Sequence, residues 1–211
     1  MKNVVVLVSG NGSNLQAIID QCHGNDGIKI AAVVANKEDA YGLTRAKEAG
    51  IDAVVVKSKG ITDRSEYDDK LMTAIDGYQP DLIVLAGFMR ILTPEFVQHY
   101  HGKMINIHPS LLPKYTGLNT HQRAIDAGDK AHGTSVHFVT EELDGGPVIL
   151  QAQVPILAQD NADTLMAKVQ EQEYRIYPIV IEWFCQNRLN MSNEKAFLDS
   201  NELGLSGYAT D

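Results

Sequence analysis

Residues 4–14 read VVVLVSGNGSN, an apolar run followed by a glycine-rich turn and the start of a helical pattern. The apolar run is far too short to cross a bilayer and is typical of a buried strand. Residues 14–22 carry apolar side chains at helical spacing, at Leu15, Ile18 and Ile19. A strand that passes through a short glycine turn into a helix predicts the opening unit of an α/β protein.

The same alternation continues along the chain. We predict further strands at residues 30–35, 53–56, 81–86 and 104–108, with helices at 42–49, 65–77 and 94–100. The last third differs: residues 133–140 and 148–154 are strand-like and joined by a turn cluster, and a long helical pattern covers 163–183. These patterns predict an α/β, doubly wound, mostly parallel sheet with helices on both faces and a more antiparallel C-terminal part.

Composition limits the classes of protein that this chain can belong to. It has 211 residues, 44% of them hydrophobic, and a net charge of −9. We expect one domain over residues 1–188 and a polar C-terminal tail over 189–211, packed on the domain or extending from it. The acidic surface argues against nucleic acid as a partner. Cys22 and Cys185 lie in apolar segments and are expected to be buried free thiols, so we predict a cytoplasmic protein that does not bind membranes.

The glycine loop of residues 9–14 is not a dinucleotide fingerprint. Position 15 is Leu where that fingerprint needs Gly, and the second strand ends in Asn36-Lys37 without an acid. A helix N-terminus carries unpaired amides and a partial positive charge, which suits a phosphate. The loop therefore predicts a monophosphate site, and the alternative is a tight turn that only caps the helix.

The stretch NIHPSLLP, residues 106–113, is the most informative in the chain. Asn106 and His108 share one face of a predicted strand, at its carboxyl end, where open α/β sheets bind ligands. An amide and an imidazole placed there can aim two donors at one oxygen; the alternative is that they only bond to loop backbone. Asp144, followed by two glycines, could approach His108 and favour its protonated form. By itself this Asp-Gly-Gly cluster indicates no more than a turn.

Five segments together resemble a known family: SGNGSNL at 9–15, LAGFMRIL at 85–92, NIHPSLLP at 106–113, GTSVHFV at 133–139 and LDGGP at 143–147. In this order they closely resemble the folate-dependent phosphoribosylglycinamide formyltransferases (GAR transformylases) of purine synthesis, over about residues 3–188. The HPSLLP and DGGP segments are shared by several formyltransferases of one superfamily. The GNGSN and AGFMRIL segments are more specific to the purine branch.

The resemblance implies a role for each matching position. The substrate phosphate would be held by Gly12, Ser13 and Asn14, and the sugar hydroxyls would contact Glu173. The folate pocket would be formed by Arg64, Met89, Arg90, Ile91, Leu92, Asn106, Thr140 and Asp144. The catalytic set would be Asn106, His108 and Asp144. The co-substrate would be 10-formyltetrahydrofolate, the other partner a phosphorylated sugar amide, and the protein a monomer or weak homodimer.

The expected chemistry needs no metal. Asn106 would donate to the oxygen that becomes negative when the substrate amine attacks the formyl carbon, and His108, held cationic by Asp144, would donate and act as general acid. The seven histidines show no metal-ligand spacing with other residues, so we predict no metal site.

One segment departs from the family pattern. Thr116 stands where the family usually has Pro, and Asn119 stands where His is common. This difference questions the rigidity of a loop near the site and leaves the reaction class unchanged.

Two other classes of function remain open from the sequence. Another enzyme of the superfamily is one: a formyltransferase acting on tRNA would be expected to carry a basic C-terminal domain, and a formyl-folate hydrolase a regulatory extension. A non-catalytic ligand-binding module is the other; it would explain the glycine loop but has no need of Asn106 beside His108.

Overall fold

The computed structural model describes residues 1–208, and its elements follow the predicted alternation of strands and helices. The elements are β1 (Lys2–Val8), α1 (Ser13–Cys22), β2 (Ile28–Ala35), α2 (Tyr41–Glu48), β3 (Asp52–Val55), α3 (Arg64–Asp76), β4 (Leu82–Leu85), α4 (Pro94–His99), β5 (Met104–His108), α5 (Thr120–Asp126), β6 (Ala131–Phe138), β7 (Val148–Pro155), α6 (Ala162–Cys185), β8 (Leu189–Ser192), β9 (Lys195–Leu198) and β10 (Asn201–Glu202).

A seven-stranded sheet has the strand order β3-β2-β1-β4-β5-β6-β7. The chain divides into two compact units, residues 1–105 and the part from residue 106 onward. In the first unit, β1 pairs in parallel with both β2 and β4, and β2 pairs in parallel with β3. The strand order therefore reverses at β1, and right-handed crossovers place α1 and α2 on one face of these strands and α3 on the other. The predicted doubly wound, mostly parallel α/β fold is confirmed.

Local sequence explains where these elements begin. The apolar run from Val4 to Val8 is fully buried, as expected for a strand covered on both faces. Helix α3 begins after Asp63, whose carboxylate accepts from the Ser65 amide. Helix α4 begins after Thr93, with a proline in its first turn.

The second unit is antiparallel where the sequence predicts it. Strands β6 and β7 pair antiparallel, and the long helix α6 begins with a reciprocal capping pair, Asn161 and Thr164. Leu165 and Val169 of α6 pack against Val154 of β7. Cys22 of α1 and Cys185 of α6 are buried free thiols, as predicted.

Two features of the second unit were not predicted, helix α5 and a small three-stranded antiparallel sheet of β8, β9 and β10. The sheet lies in the segment expected to be a polar tail. Its two-residue turns, at Asn193-Glu194 and Asp199-Ser200, all have positive φ, which is the geometry of tight hairpin turns. Such turns usually carry Gly, so this sequence gives little sign of them.

The chain end of the described part also pairs with the sheet. The Tyr208 amide donates to the Ile149 carbonyl at 2.8 Å. The boundary at residue 188 stays a prediction, and the last three residues of the expected tail, 209–211, lie outside the described part of the chain. Within residues 1–208, no helix has the length and apolar character needed to span a membrane.

Candidate functional site

The glycine loop of the first unit presents backbone amides at the start of α1. Gly12 precedes the helix with φ of 72°, and no side chain caps the first turn. A Cβ at Gly12 would lie 2.9 Å from the Cα of Gly42, so the position needs glycine for both its conformation and its space. The uncapped first turn suits an anion.

Arg45, to which the sequence analysis assigned no role, forms hydrogen bonds that hold this loop in place. Arg45 of α2 donates through Nε to the Asn11 carbonyl at 2.9 Å and through Nη1 to Oε1 of Gln16 at 3.0 Å. The guanidinium therefore fixes the loop and adds a positive charge beside it. In the sequence Arg45 is one of two basic residues on a helix, the other being Lys47, and such side chains are usually solvated.

The predicted folate segment follows β4, which pairs with β1 at the point where the strand order of the first unit reverses. The Ser9 amide donates to the Gly87 carbonyl at 3.2 Å, and the Met89 amide donates to Oγ of Ser9 at 2.8 Å. The ends of β1 and β4 are thereby joined, so the glycine loop and residues 87–92 are neighbours. The side chains of Met89 and Ile91 are largely exposed, at 66% and 59%.

Arg64 meets the same segment. Its Nη2 donates to the carbonyls of Ile91 and Leu92, at 3.1 and 3.4 Å. The guanidinium of Arg90 instead stacks on the ring of Tyr67, with 4.1 Å to the centroid. The structure thus brings Arg64, Met89, Arg90, Ile91 and Leu92 into one region, and their role toward folate stays a prediction.

The second unit contains the predicted catalytic side chains. Asn106 lies on β5, and its Nδ2 is 3.2 Å from Nε2 of His137 on β6. His137 Nδ1 lies 2.8 Å from the Phe138 carbonyl, which can only accept, so Nδ1 carries a hydrogen. Burial lowers the pKa of His137, so the ring is neutral near pH 7 and Nε2 accepts from Asn106. This contact fixes the orientation of the Asn106 amide.

His108 has an acceptor at each ring nitrogen. Nε2 donates to the Tyr115 carbonyl at 2.8 Å. Nδ1 lies 3.4 Å from Oδ2 of Asp144, and both side chains are over nine-tenths buried. The imidazole of His108 therefore lies between the Tyr115 carbonyl and the Asp144 carboxylate.

The carboxylate of Asp144 has three neighbouring groups, and it belongs to a turn in which a glycine is required. Its Oδ2 also accepts from the Gly117 amide at 2.9 Å, and its Oδ1 lies 3.9 Å from Nε2 of His137. A Cβ at Gly146 would come within 1.8 Å of the Phe138 carbonyl oxygen, so the turn packs closely on the end of β6. The Asp-Gly-Gly cluster is therefore a turn, and it also directs a buried carboxylate at His108.

Two other predicted residues lie near this cluster. Thr140 follows the end of β6, in the segment that leads to Asp144. Glu173 of α6 is 6% exposed, and Oγ1 of Thr134 lies 3.3 Å from its Oε1 and 3.0 Å from the His108 carbonyl. Glu173 is thus connected to the backbone of the catalytic strand, and no contact tests its proposed role toward the sugar.

The sequence analysis assigned no role to His137. A signal was present, since Thr134, Ser135 and His137 are polar residues in a strand that is buried from His132 to Phe138. Buried polar side chains need partners, and His137 finds one in Asn106.

A second contact between polar side chains, His132 with His121, lies in the same unit. His132 is almost fully buried against His121, with ring centroids 5.1 Å apart, and burial lowers the pKa of His132 to about 4. Neither ring belongs to a metal cluster: within residues 1–208 no group of three or more His, Cys, Asp or Glu side chains is arranged to hold a metal ion.

Comparison with known proteins identifies the family of the chain. The model of the family described as formyl transferase matches residues 2–181. The chain belongs to the formyl transferase family. The resemblance predicted from the five sequence segments is thereby confirmed.

Similar members of the formyl transferase family share the whole length of the chain. The phosphoribosylglycinamide formyltransferase of Escherichia coli (strain K12) is 58% identical over 211 residues, covering 99% of both chains. The enzyme of the same name from Haemophilus influenzae is 54% identical, covering 100% of both chains. The solved phosphoribosylglycinamide formyltransferase of Coxiella burnetii superposes with a TM-score of 0.94 at 51% identity, covering 100% of this chain and 99% of that one.

Proposed function

We propose that this chain transfers the formyl group of 10-formyltetrahydrofolate to the glycinamide amine of phosphoribosylglycinamide, in purine synthesis. The products are the formyl amide and tetrahydrofolate. The observation that carries the proposal is the cluster of half-buried Asn106 with the buried side chains of His108 and Asp144, in a chain of the formyl transferase family that matches the named enzymes from end to end.

The residues of the cluster support this reaction directly. When the amine attacks the formyl carbon, negative charge develops on the formyl oxygen. The Asn106 nitrogen carries two hydrogens, so one can serve His137 while the other donates to that oxygen. The Nε2–H of His108 is taken by the Tyr115 carbonyl, so the second hydrogen bond comes from Nδ1–H, which lies 3.4 Å from Asp144 and can be shared with the formyl oxygen while Asp144 balances the charge.

Proton transfer completes the reaction. The amine loses a proton as the new carbon–nitrogen bond forms, and N10 of the folate gains one as the old bond breaks. His108 and Asp144 can pass this proton, either directly or through water, since both are ionisable groups held within one cluster. Two fixed donors and a proton path suffice, so the proposal includes no metal.

Substrate capture is assigned to the other predicted residues. Gly12, Ser13 and Asn14 bind the phosphate through the uncapped start of α1. The exposed apolar side chains of Met89 and Ile91 can pack against the ring system of a reduced folate, and backbone groups near Arg64 and Leu92 can form hydrogen bonds with its polar edge. Glu173 contacts the sugar hydroxyls.

We expect the protein to work in the cytoplasm on these small molecules, as a monomer or a weak homodimer, with no nucleic acid or membrane partner. Its net charge of −9 disfavours binding to phosphate backbones.

The decisive experiment follows the absorbance change when 10-formyltetrahydrofolate is mixed with the protein, with and without phosphoribosylglycinamide. We expect turnover only when the amine is present, unchanged by a metal chelator. Consumption of the formyl-folate without the amine would identify a hydrolase. Binding of both ligands without turnover would identify a non-catalytic module, and either result would overturn the proposal.

A further inference from the structure

The loop of residues 115–118 supplies two backbone groups to the catalytic cluster. The Tyr115 carbonyl accepts from Nε2 of His108 at 2.8 Å, and the Gly117 amide donates to Oδ2 of Asp144 at 2.9 Å. The loop therefore determines the orientation of the imidazole and fixes one oxygen of the carboxylate. A shift of this loop would therefore change the orientation of both side chains, His108 and Asp144.

The backbone of this loop does not hold its conformation unaided. Tyr115 has φ of 55°, a left-handed conformation that is unfavourable for a bulky side chain. Thr116 follows it and lacks the ring that would fix the backbone of a proline. Contacts from outside the loop must therefore restrain it.

Arg123 on α5 provides such contacts. Its Nη1 donates to the Thr116 carbonyl at 2.6 Å and to the Leu118 carbonyl at 3.2 Å. Its guanidinium lies 5.2 Å from the centroid of the Tyr115 ring. One side chain thus holds the loop at two carbonyls and one aromatic face.

A second contact anchors the same tyrosine. Its hydroxyl donates to Oδ2 of Asp129 at 2.8 Å, and Lys114 pairs with that oxygen at 3.0 Å. Tyr115 is therefore fixed at both its hydroxyl and its ring, and its carbonyl is directed at His108.

We propose that Arg123 is a positioning residue for formyl transfer, which acts by holding the 115–118 loop against His108 and Asp144. The inference rests on the proposed function, and it assigns the rigidity of the loop to the contacts of one guanidinium. Arg123 is exposed and lies outside the catalytic cluster, so its effect passes through the loop.

The first test compares Arg123→Ala with Gln122→Ala. Gln122 is the neighbouring exposed residue on α5, and its amide bonds Asp126 of the same helix at 2.7 Å. For Arg123→Ala we expect kcat to fall about tenfold, because the loop loses its charge-assisted hydrogen bonds, with KM for both substrates within about twofold. For Gln122→Ala both constants should stay at the wild-type level. An unchanged kcat in Arg123→Ala, or an equal loss in both variants, would overturn the proposal.

The second test asks whether the loop carries the effect. Thr116→Pro restricts the backbone without a guanidinium, so adding it to Arg123→Ala should restore most of kcat. A folded double variant that stays as slow as Arg123→Ala would contradict the proposal. Arg123→Lys keeps the charge but loses the planar fork, so we expect an intermediate kcat, and it serves in place of Arg123→Ala should the latter unfold.

The third test does not depend on turnover. In ¹⁵N-labelled protein, the Nε2–H resonance of His108 reports its hydrogen bond to the Tyr115 carbonyl. We expect this resonance to shift in Arg123→Ala and to return in the double variant with Thr116→Pro. A wild-type protein that fails to transfer the formyl group would refute the proposed function while leaving this measurement interpretable. An unshifted resonance in Arg123→Ala would refute the role of Arg123 alone.

Discussion

The glycine loop of the first unit and the catalytic cluster of the second unit are built in opposite ways. Residues 9–14 form the loop from consecutive backbone groups at the start of one helix. The cluster takes side chains from β5, from β6 and from the turn at Asp144, and the side chains of His108, His137 and Asp144 are 8%, 3% and 7% exposed.

This difference follows from what each region must recognise. An anion is satisfied by several amides and a helix dipole, which come with the backbone. A developing negative charge at one oxygen needs donors fixed before the reaction, and side chains become fixed only when other polar groups hold them. Changes in the loop should therefore alter substrate capture, and changes in the cluster should alter turnover.

The largest effect is expected at the pair of His108 and Asp144. His108→Ala and Asp144→Asn should each reduce kcat by about 10³, within the range of general acid–base catalysis. Because the two act as one unit, the double variant should be little slower than the slower single variant. Steady-state kinetics of the three variants would measure this. Additive losses would mean that Asp144 only shapes its turn. The catalytic cluster would then differ less from the glycine loop than the comparison above states.

Asn106→Ala should lower kcat by about 10²–10³, with KM changing far less. The amide donates to an oxygen whose charge develops only in the transition state, so binding should survive. Kinetics together with substrate titration by calorimetry would separate the two constants. A variant with normal turnover and weak binding would assign Asn106 to substrate capture instead.

Burial of His132 should make the fold sensitive to acid. Burial lowers the pKa of His132 to about 4, from an ordinary value near 6.5. The unfolded chain therefore takes up a proton before the native state does, so this contribution to stability is complete above about pH 6.5 and is lost as the pH falls toward 4. One unit of pKa shift corresponds to about 1.4 kcal/mol, so the loss should reach roughly 2–3 kcal/mol.

Urea unfolding of the wild type and of His132→Gln between pH 7.5 and 4.5 would test this. The variant should be less stable at pH 7.5 but should lose less stability on acidification. His137 is also buried, with its pKa lowered by burial, so part of the decline should remain. Parallel pH profiles in the two proteins would refute the assignment to His132.

His137→Phe should reduce kcat by about tenfold, because Asn106 would lose the neutral acceptor that orients its amide. His137→Gln, which can still accept, should recover part of this loss. Measured kcat values that are equal for the two variants would show that His137 serves only to fill space.

The smallest loss of activity is expected in the glycine loop. Gly12→Val should raise KM for the phosphorylated substrate about tenfold or less, because a branched side chain blocks the approach of a phosphate to the helix start. Binding of a folate analogue should survive.

The structure adds a control for this variant, since a Cβ at Gly12 would press on Gly42 whereas one at Gly10 meets nothing within 4 Å. Gly10→Ala should keep the wild-type melting temperature. Equal loss of both ligands in folded Gly12→Val would argue against a dedicated phosphate loop.

Much of the fold could be predicted because its signals are local. The apolar run at Val4 to Val8 and the repeat at Leu15, Ile18 and Ile19 reflect which faces are buried, so strands and helices appear at nearly their observed bounds. The hairpins at Asn193 and Asp199 were missed because their residues lack the usual glycine. Helix α5 was missed because it is short, and because few of its residues are buried.

The sequence by itself determined the fold class, the glycine loop and the shared face of Asn106 and His108, since each depends on neighbours along the chain. Only the tertiary structure decided that Asp144 lies at His108, that His137 holds Asn106, and that Arg123 fastens the loop of Tyr115. These contacts join residues far apart in sequence or on separate segments. They form only when the strands have paired and the turns have closed, and no local pattern encodes that step.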